Sequence, residues 1–66
     1  MKIMVNGQER ALTAPLTVDA LLDELGMRGK RVAVEVNQEI VPRSRHAEYR
    51  LSDRDRVEVV FAIGGG

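Results

Sequence analysis

The chain contains one segment with the spacing of an amphipathic helix, Thr17-Val18-Asp19-Ala20-Leu21-Leu22-Asp23-Glu24-Leu25-Gly26. Its apolar side chains follow at intervals of three and four residues, so they lie in one stripe along the helix. Thr17 is suited to cap the first turn, and Gly26 stands where a left-handed residue often ends a helix. The sequence therefore predicts a helix over residues 18–25 that packs one face against a core.

A β-hairpin is predicted on the amino-terminal side of this helix. Residues 2–5 and 8–13 flank Asn6-Gly7, a dipeptide that tolerates positive φ at both central positions of a two-residue turn. The opening apolar run is far shorter than the ~20 residues that cross a bilayer, so no signal peptide or membrane span is predicted.

On the carboxyl-terminal side of the helix, strands are predicted from the alternation of apolar and polar residues. Residues 32–36 place three valines on one face and Ala33 with Glu35 on the other. Ile40-Val41 is a short extended piece, and Pro42 places it at a sheet edge because proline lacks a backbone donor. The segment therefore predicts a half-buried strand followed by a short edge strand.

The last strand is predicted over residues 57–63, and residues 43–50, which have no regular period, are interpreted as a connecting loop. The order of elements is then ββαβ(β)β, with one helix for one sheet. A right-handed crossover lets the last strand lie parallel to the first. The predicted class is α+β with a β-grasp (ubiquitin-like) fold, a mixed four- to five-stranded sheet wrapped on one main helix.

Length and composition agree with one small domain. The 66 residues are 44% hydrophobic and 30% charged, which is typical of a folded chain with a single core. We predict a domain over residues 1–63 and a flexible glycine tail at 64–66. The predicted core consists of Ile3, Val5, Leu12, Val18, Leu21, Leu22, Leu25, Val32, Val34, Val36, Val57 and Val59.

Charge and cysteine content exclude several classes of function. Ten basic and ten acidic residues give a formal net charge of zero, which argues against a nucleic-acid or membrane partner. The sequence has no cysteine, so it offers no disulfide, thiolate metal site or cysteine nucleophile. A chain of this size without disulfides fits a reducing compartment, and we expect a cytoplasmic protein.

Few side chains carry catalytic chemistry. His46 is the single imidazole, and without a second domain to orient it beside Ser44 it is interpreted as a solvated loop residue rather than a general base. Asp53 and Asp55 lack the spaced ligands of a calcium loop and are interpreted as turn residues. No phosphate-binding glycine motif occurs. The chain is predicted not to be an enzyme and to bind no cofactor or metal.

The glycine tail, Gly64-Gly65-Gly66, offers a different functional group. Because glycine has no Cβ, Gly64 and Gly65 can pass through a narrow channel and adopt backbone angles closed to other residues. The α-carboxylate of Gly66 can then reach the active site of another enzyme, where attack on the α-phosphate of ATP would form an acyl adenylate. A frayed terminus or a fragment cut at a linker would leave the same three glycines.

Four segments together carry a family resemblance that spans the chain: Ile3-Met4-Val5-Asn6-Gly7, the helix start from Thr17-Val18 to Leu21-Leu22, residues 34–43, and residues 57–66. They are similar to the thiamin-biosynthesis sulfur carrier family (ThiS), small β-grasp proteins that end in Gly-Gly. The spacing from Asn37 to Val41-Pro42-Arg43, taken with the terminal glycines, is the most specific part. Arg54 departs from the glycine that the family often has between two aspartates.

The resemblance implies a protein sulfur carrier. An ATP-dependent adenylyltransferase would activate Gly66, and sulfur from a cysteine desulfurase persulfide would replace the adenylate to leave a C-terminal thiocarboxylate. Thiazole synthase would accept this sulfur while forming the thiazole of thiamin. Docking is assigned to the outward side of the sheet and the end of the last strand: Ala33, Glu35, Val60, Phe61, Ala62 and Ile63.

Other functions fit the same residues. A carrier for molybdopterin synthesis has the same fold and terminal chemistry, although the absence of proline just before the glycines argues against it. A carrier for another sulfurated product differs only in its docking surface. A β-grasp binding module without catalytic activity belongs to a different class and has no need of a free Gly-Gly end.

Overall fold

The structure, a computed structural model, describes residues 1–61. Five strands, one α-helix and one 3₁₀ helix are present in this part of the chain. Their order is β1 (Lys2–Val5), β2 (Gln8–Ala11), α1 (Val18–Glu24), β3 (Val32–Val36), β4 (Glu39–Val41), the 3₁₀ helix (Arg43–Arg45) and β5 (Arg56–Phe61).

The five strands form one mixed sheet in the order β2-β1-β5-β3-β4. β5 is parallel to β1, with Val5 opposite Val57, and antiparallel to β3, with Val34 opposite Val59. The hairpin partners β1–β2 and β3–β4 are antiparallel. This arrangement confirms the predicted α+β class, the parallel pairing of the first and last strands, and the edge position of β4.

Helix α1 begins and ends for the predicted reasons. The Thr17 hydroxyl oxygen accepts a hydrogen bond from the Ala20 N–H at 3.1 Å, which satisfies one of the free donors of the first turn. Gly26 has φ +74°, the left-handed conformation of a helix end. The helix stops at Glu24, one residue before the predicted boundary. Within residues 1–61 no helix has the length and apolar composition to cross a membrane.

Two tight turns connect the hairpins. Asn6 and Gly7 have φ values of 51° and 81°, which confirms a turn with positive φ at both central positions, although β2 ends at Ala11 rather than at residue 13. A second turn of the same kind joins β3 to β4 through Asn37 and Gln38, at φ 52° and 71°. Asparagine tolerates this region better than most residues because its short side chain forms local hydrogen bonds.

The core lies between α1 and the inner face of the sheet. All of the predicted core residues are buried except Leu25 and Val32, which are partly buried and pack against it. Val41 and Leu51 complete the core and were missing from the prediction. Leu51 lies in an irregular segment, where no periodicity marks an inward residue, and its N–H donates to the Leu16 carbonyl.

The segment predicted as a connecting loop is packed against the helix start. Backbone carbonyls of His46 and Tyr49 accept hydrogen bonds from the N–H groups of Asp19 and Val18, each at 2.9 Å. His46 is buried, with Nε2 donating to the Val41 carbonyl at 3.0 Å. The interpretation of His46 as a solvated residue is therefore wrong, because the 3₁₀ turn folds the imidazole inward.

Candidate functional site

The candidate site is centred on β5, because the predicted reactive and channel residues, 64–66, follow this strand in the sequence. β5 lies between β1 and β3 in the sheet. The predicted reactive residue Gly66, the channel residues Gly64 and Gly65, and the docking residues Ala62 and Ile63 lie outside the described residues. The described part of the site therefore consists of β5, the residues that form hydrogen bonds to it, and the sheet surface beside it.

Asn6 holds the middle of β5. Its side-chain Oδ1 accepts from the Val59 N–H at 2.8 Å, and its Nδ2 donates to the Val59 carbonyl at 3.1 Å. The Asn6 backbone N–H also donates to the Val57 carbonyl at 2.9 Å. The same residue thus makes the first hairpin turn and extends the pairing of β1 with β5.

Asn37 holds the start of β5 from the other side. Its Oδ1 accepts from the Arg56 N–H, and its Nδ2 donates to Asp55 Oδ1, both at 3.0 Å. The Asn37 N–H donates to the Arg56 carbonyl at 2.8 Å. The asparagines of the two hairpin turns therefore hold β5 from its two sides, Asn6 from the end of β1 and Asn37 from the end of β3.

Two aspartates hold the turn before β5: Asp53 bonds the turn to β1, and Asp55 forms a hydrogen bond within the turn. Asp53 Oδ1 accepts from the Lys2 N–H at 2.8 Å, and Asp55 Oδ2 accepts from the Ser52 N–H at 2.7 Å. Arg54, between them, has φ 69°. These contacts confirm Asp53 and Asp55 as turn residues, and no set of three potential metal-ligand side chains is found among residues 1–61.

On the side of the sheet opposite α1, the part formed by β3, β4 and the end of β5 carries apolar and acidic residues. In the β3–β5 register Ala33 faces Val60 and Glu35 faces Glu58, while Ile40 of β4 faces Glu35. Val60 is 59% exposed and Ile40 is 72% exposed. We call these five residues the outer patch. The structure thus brings together three of the predicted docking residues, Ala33, Glu35 and Val60.

Ile40 and Glu58 belong to the outer patch but were not predicted as docking residues. Their position follows from strand register, since residues that face each other in a pair lie on the same side of the sheet. Phe61 lies on the other side of β5 from Val60, because successive residues alternate. It is 54% exposed at the end of the strand, so it is outside the outer patch.

The two glutamates of the outer patch, Glu35 and Glu58, form no ion pair within residues 1–61. Six pairs are present, with N–O distances of 3.6 to 3.9 Å, and none includes Glu35 or Glu58. Glu35 is half-buried and Glu58 is exposed. Two carboxylates therefore face each other between Val60, Ala33 and Ile40 without a basic partner from residues 1–61.

His46 and Ser44 form no nucleophile–base pair in the described hydrogen bonds. The Nε2 atom of His46 is engaged with the Val41 carbonyl, and Ser44 lies within the exposed 3₁₀ turn. The role of His46 is to pack the turn against the helix start. The structure offers this pair no catalytic geometry.

Comparison with known proteins identifies the family. A sequence model of the ThiS family matches residues 3–66. The chain belongs to the ThiS family. Along its whole length it is 36% identical to the sulfur carrier protein ThiS of Escherichia coli, all of which it covers. The crystal structure of the thiamine biosynthesis protein ThiS from Geobacter metallireducens is similar, with a TM-score of 0.86, 32% identity and complete coverage of both chains.

A second kind of relative is much longer. The ThiS-family chain is 52% identical over 66 residues to a thiazole synthase of Paramagnetospirillum magneticum, and it spans 20% of the length of that protein. All 66 residues of this chain are covered in the match. A segment similar to this chain is therefore also found within a protein named thiazole synthase.

Proposed function

We propose that this chain is a sulfur carrier of thiamin biosynthesis, in which the Gly66 carboxylate is converted to a thiocarboxylate. The observation that carries the proposal is the family match over residues 3–66, together with 36% identity to a full-length sulfur carrier protein. The chain is the substrate of this chemistry rather than its catalyst, because the reacting group is its own terminal carboxylate.

The proposed chemistry begins at the Gly66 carboxylate. One carboxylate oxygen attacks the α-phosphorus of ATP, and pyrophosphate leaves as the acyl adenylate forms. The terminal sulfur of a persulfide then attacks the carbonyl carbon and displaces AMP. Cleavage of the resulting acyl disulfide by a thiol leaves the thiocarboxylate, while the thiol is oxidised to a disulfide.

Three partners follow from these steps. An adenylyltransferase supplies the ATP-dependent activation, a cysteine desulfurase supplies the persulfide, and a thiazole synthase accepts the sulfur. The similarity to a thiazole synthase that contains a matching segment supports the last of these. The chain itself needs no bound cofactor, because the reacting group is its own backbone carboxylate.

The described structure supports a division between scaffold and reactive end. Among residues 1–61, all buried core residues lie between Ile3 and Val59, and β5 is fixed by Asn6 and Asn37. The fold can therefore keep its stability while Gly66 changes from carboxylate to adenylate and thiocarboxylate.

Peptide mass spectrometry tests the proposal. The chain is incubated with the adenylyltransferase, ATP, cysteine and the cysteine desulfurase, and then cleaved with trypsin. Cleavage after Arg56 releases residues 57–66, which contain no methionine. This matters because exchange of oxygen for sulfur adds nearly the same mass as oxidation of a methionine to its sulfoxide.

We expect an ATP-dependent mass gain in the peptide of residues 57–66. A gain that maps elsewhere, or that forms without ATP, would contradict the proposal. The same digestion of the natural protein identifies its last residue, which must be Gly66 for this chemistry to occur.

A further inference from the structure

We propose that a small basic cavity on the α1 side of the sheet binds the negatively charged end of this chain's own glycine tail when no enzyme holds it. This inference rests on the proposed function, in which the charged group is the Gly66 carboxylate. A thiocarboxylate carries the same charge, so the cavity serves the chain both before and after sulfur loading.

The cavity lies between α1, the segment that joins α1 to β3, and the 3₁₀ helix. Its volume is about 150 Å³. A single water needs about 10–15 Å³ of such space, so a carboxylate with the glycine backbone behind it fits. We call it the basic cavity; its charged lining residues are Asp19, Arg28, Lys30 and Arg43, and Val32 and His46 form part of its wall.

The charges of the basic cavity favour an anion. Arg28 lies 3.6 Å from Asp19 and 3.9 Å from Asp23, measured between nitrogen and oxygen atoms, so the Asp19 carboxylate already has a cationic partner. Lys30 and Arg43 are exposed and form no ion pair among residues 1–61. Two basic side chains therefore remain for an anion that enters the cavity.

Backbone turns fixed by hydrogen bonds carry these two basic residues. Arg43 begins the 3₁₀ helix, and the hydrogen bond between His46 Nε2 and the Val41 carbonyl packs that turn inward. The Lys30 N–H donates to the Met27 carbonyl at 3.1 Å, which closes a turn in the segment before β3. The cavity is therefore part of the folded chain, although its basic side chains are exposed.

The end of β5 lies next to the basic cavity. Val32, a wall residue of the cavity, is the register partner of Phe61. Paired strands lie about 4.8 Å apart, and the five residues 62–66 span at most about 18 Å. The terminal carboxylate can therefore reach the cavity without any change in the sheet, and the glycines before it allow the backbone to turn towards it.

The chain's own tail is a better occupant of the basic cavity than a free anion or the tail of a second copy. Exposed ion pairs are individually weak, so the site favours an anion that is already nearby. A tether of this length gives the terminal carboxylate an effective concentration on the order of millimolar. The same weakness lets an enzyme that binds the tail displace it from the cavity.

Nuclear magnetic resonance of the isotope-labelled full-length chain tests this contact. The parent chain, which ends in the Gly66 carboxylate, is compared with a semisynthetic chain that ends in the Gly66 carboxamide. The two chains have the same length and the same side chains, and only the parent has the terminal negative charge. Spectra at low and high salt report the electrostatic part of the contact.

We expect the backbone amides of the cavity residues Lys30, Val32 and Ala47 to differ between the two chains more than other amides of residues 1–61. The difference should shrink at high salt. In the double variant Lys30→Gln with Arg43→Gln, it should fall about threefold or more, because the two attracting charges are gone.

The double variant Arg50→Gln with Arg56→Gln is the matched control. Both arginines are exposed, form no ion pair among residues 1–61 and lie outside the lining of the basic cavity. The control thus loses the same two charges at other places and should keep the full response of the parent. An equal loss in the control would assign the response to net charge and overturn the proposal.

Two further outcomes would overturn it: cavity amides that do not respond to loss of the terminal charge, or cavity amides that respond to added inorganic phosphate and not to the carboxamide. Loading of the parent chain separates this proposal from the proposed function. Normal ATP-dependent loading without a cavity response refutes the cavity contact alone. A clear cavity response without loading of Gly66 refutes the proposed function alone.

Discussion

The side-chain amide of Asn6 forms with the Val59 backbone the two hydrogen bonds that a neighbouring strand would otherwise provide. It accepts from the Val59 N–H at 2.8 Å and donates to the Val59 carbonyl at 3.1 Å. β1 pairs with β5 only from Met4 and Val5, so this amide continues the pairing beyond the end of β1. A hairpin-turn residue therefore helps to position the strand that precedes the carrier residues.

Replacing Asn6 by glycine should lower the free energy of unfolding by about 1–3 kcal/mol, because two hydrogen bonds are lost while φ 51° stays accessible. Asn37→Gly removes the corresponding bonds to Arg56 and Asp55, which are exposed, and water can replace them. It should therefore cost less than Asn6→Gly. Urea denaturation of both variants measures the difference, and equal losses would contradict a special role for Asn6.

Arg54 holds a left-handed conformation without the advantage of glycine. Its φ is 69°, its side chain is exposed, and its ion pair with Asp53 is long at 3.8 Å. Arg54→Gly should therefore be more stable than Arg54→Ala by about 1 kcal/mol, because both lose the guanidinium but only alanine keeps the steric cost. Thermal unfolding of the two variants provides the comparison. Equal midpoints would mean that the turn relaxes around a Cβ.

The buried imidazole of His46 should contribute to stability and not to sulfur loading. His46→Leu keeps most of the volume but loses the hydrogen bond to the Val41 carbonyl, and it should lower the free energy of unfolding by about 0.5–1.5 kcal/mol. Loading of Gly66, measured by peptide mass spectrometry below the unfolding temperature, should match the parent. A folded variant that cannot be loaded would instead assign His46 a chemical role.

The fold could be predicted because local and periodic signals agree. Asn6-Gly7, the Thr17 cap and the alternation of residues 32–36 each identify an element. Residues 43–51 could not be assigned in this way, because their structure depends on hydrogen bonds to the start of α1. The burial of His46 and Leu51 follows from these contacts between segments distant in sequence, which no local pattern encodes.

The candidate site was only partly visible in the sequence. Alternation placed Ala33 and Glu35 on the outward side of β3, but alternation within one strand does not reveal its neighbour. The pairing of Glu35 with Glu58 and with Ile40 depends on strand order and register. This is why the acidic pair and its apolar border emerge only from the assembled sheet.

One residue added after Gly66 separates a carrier from a binding module. A serine at this point moves the terminal carboxylate by about 3.8 Å and places a Cβ beside the reacting group. Because small displacements of a reacting atom lower rates steeply, ATP-dependent loading should fall about a hundredfold or more. Affinity for the adenylyltransferase without ATP and stability in urea should stay close to the parent values, since all buried core residues of the described chain lie between Ile3 and Val59. Loading that persists in the extended chain would show that the terminal carboxylate is not the group that carries sulfur.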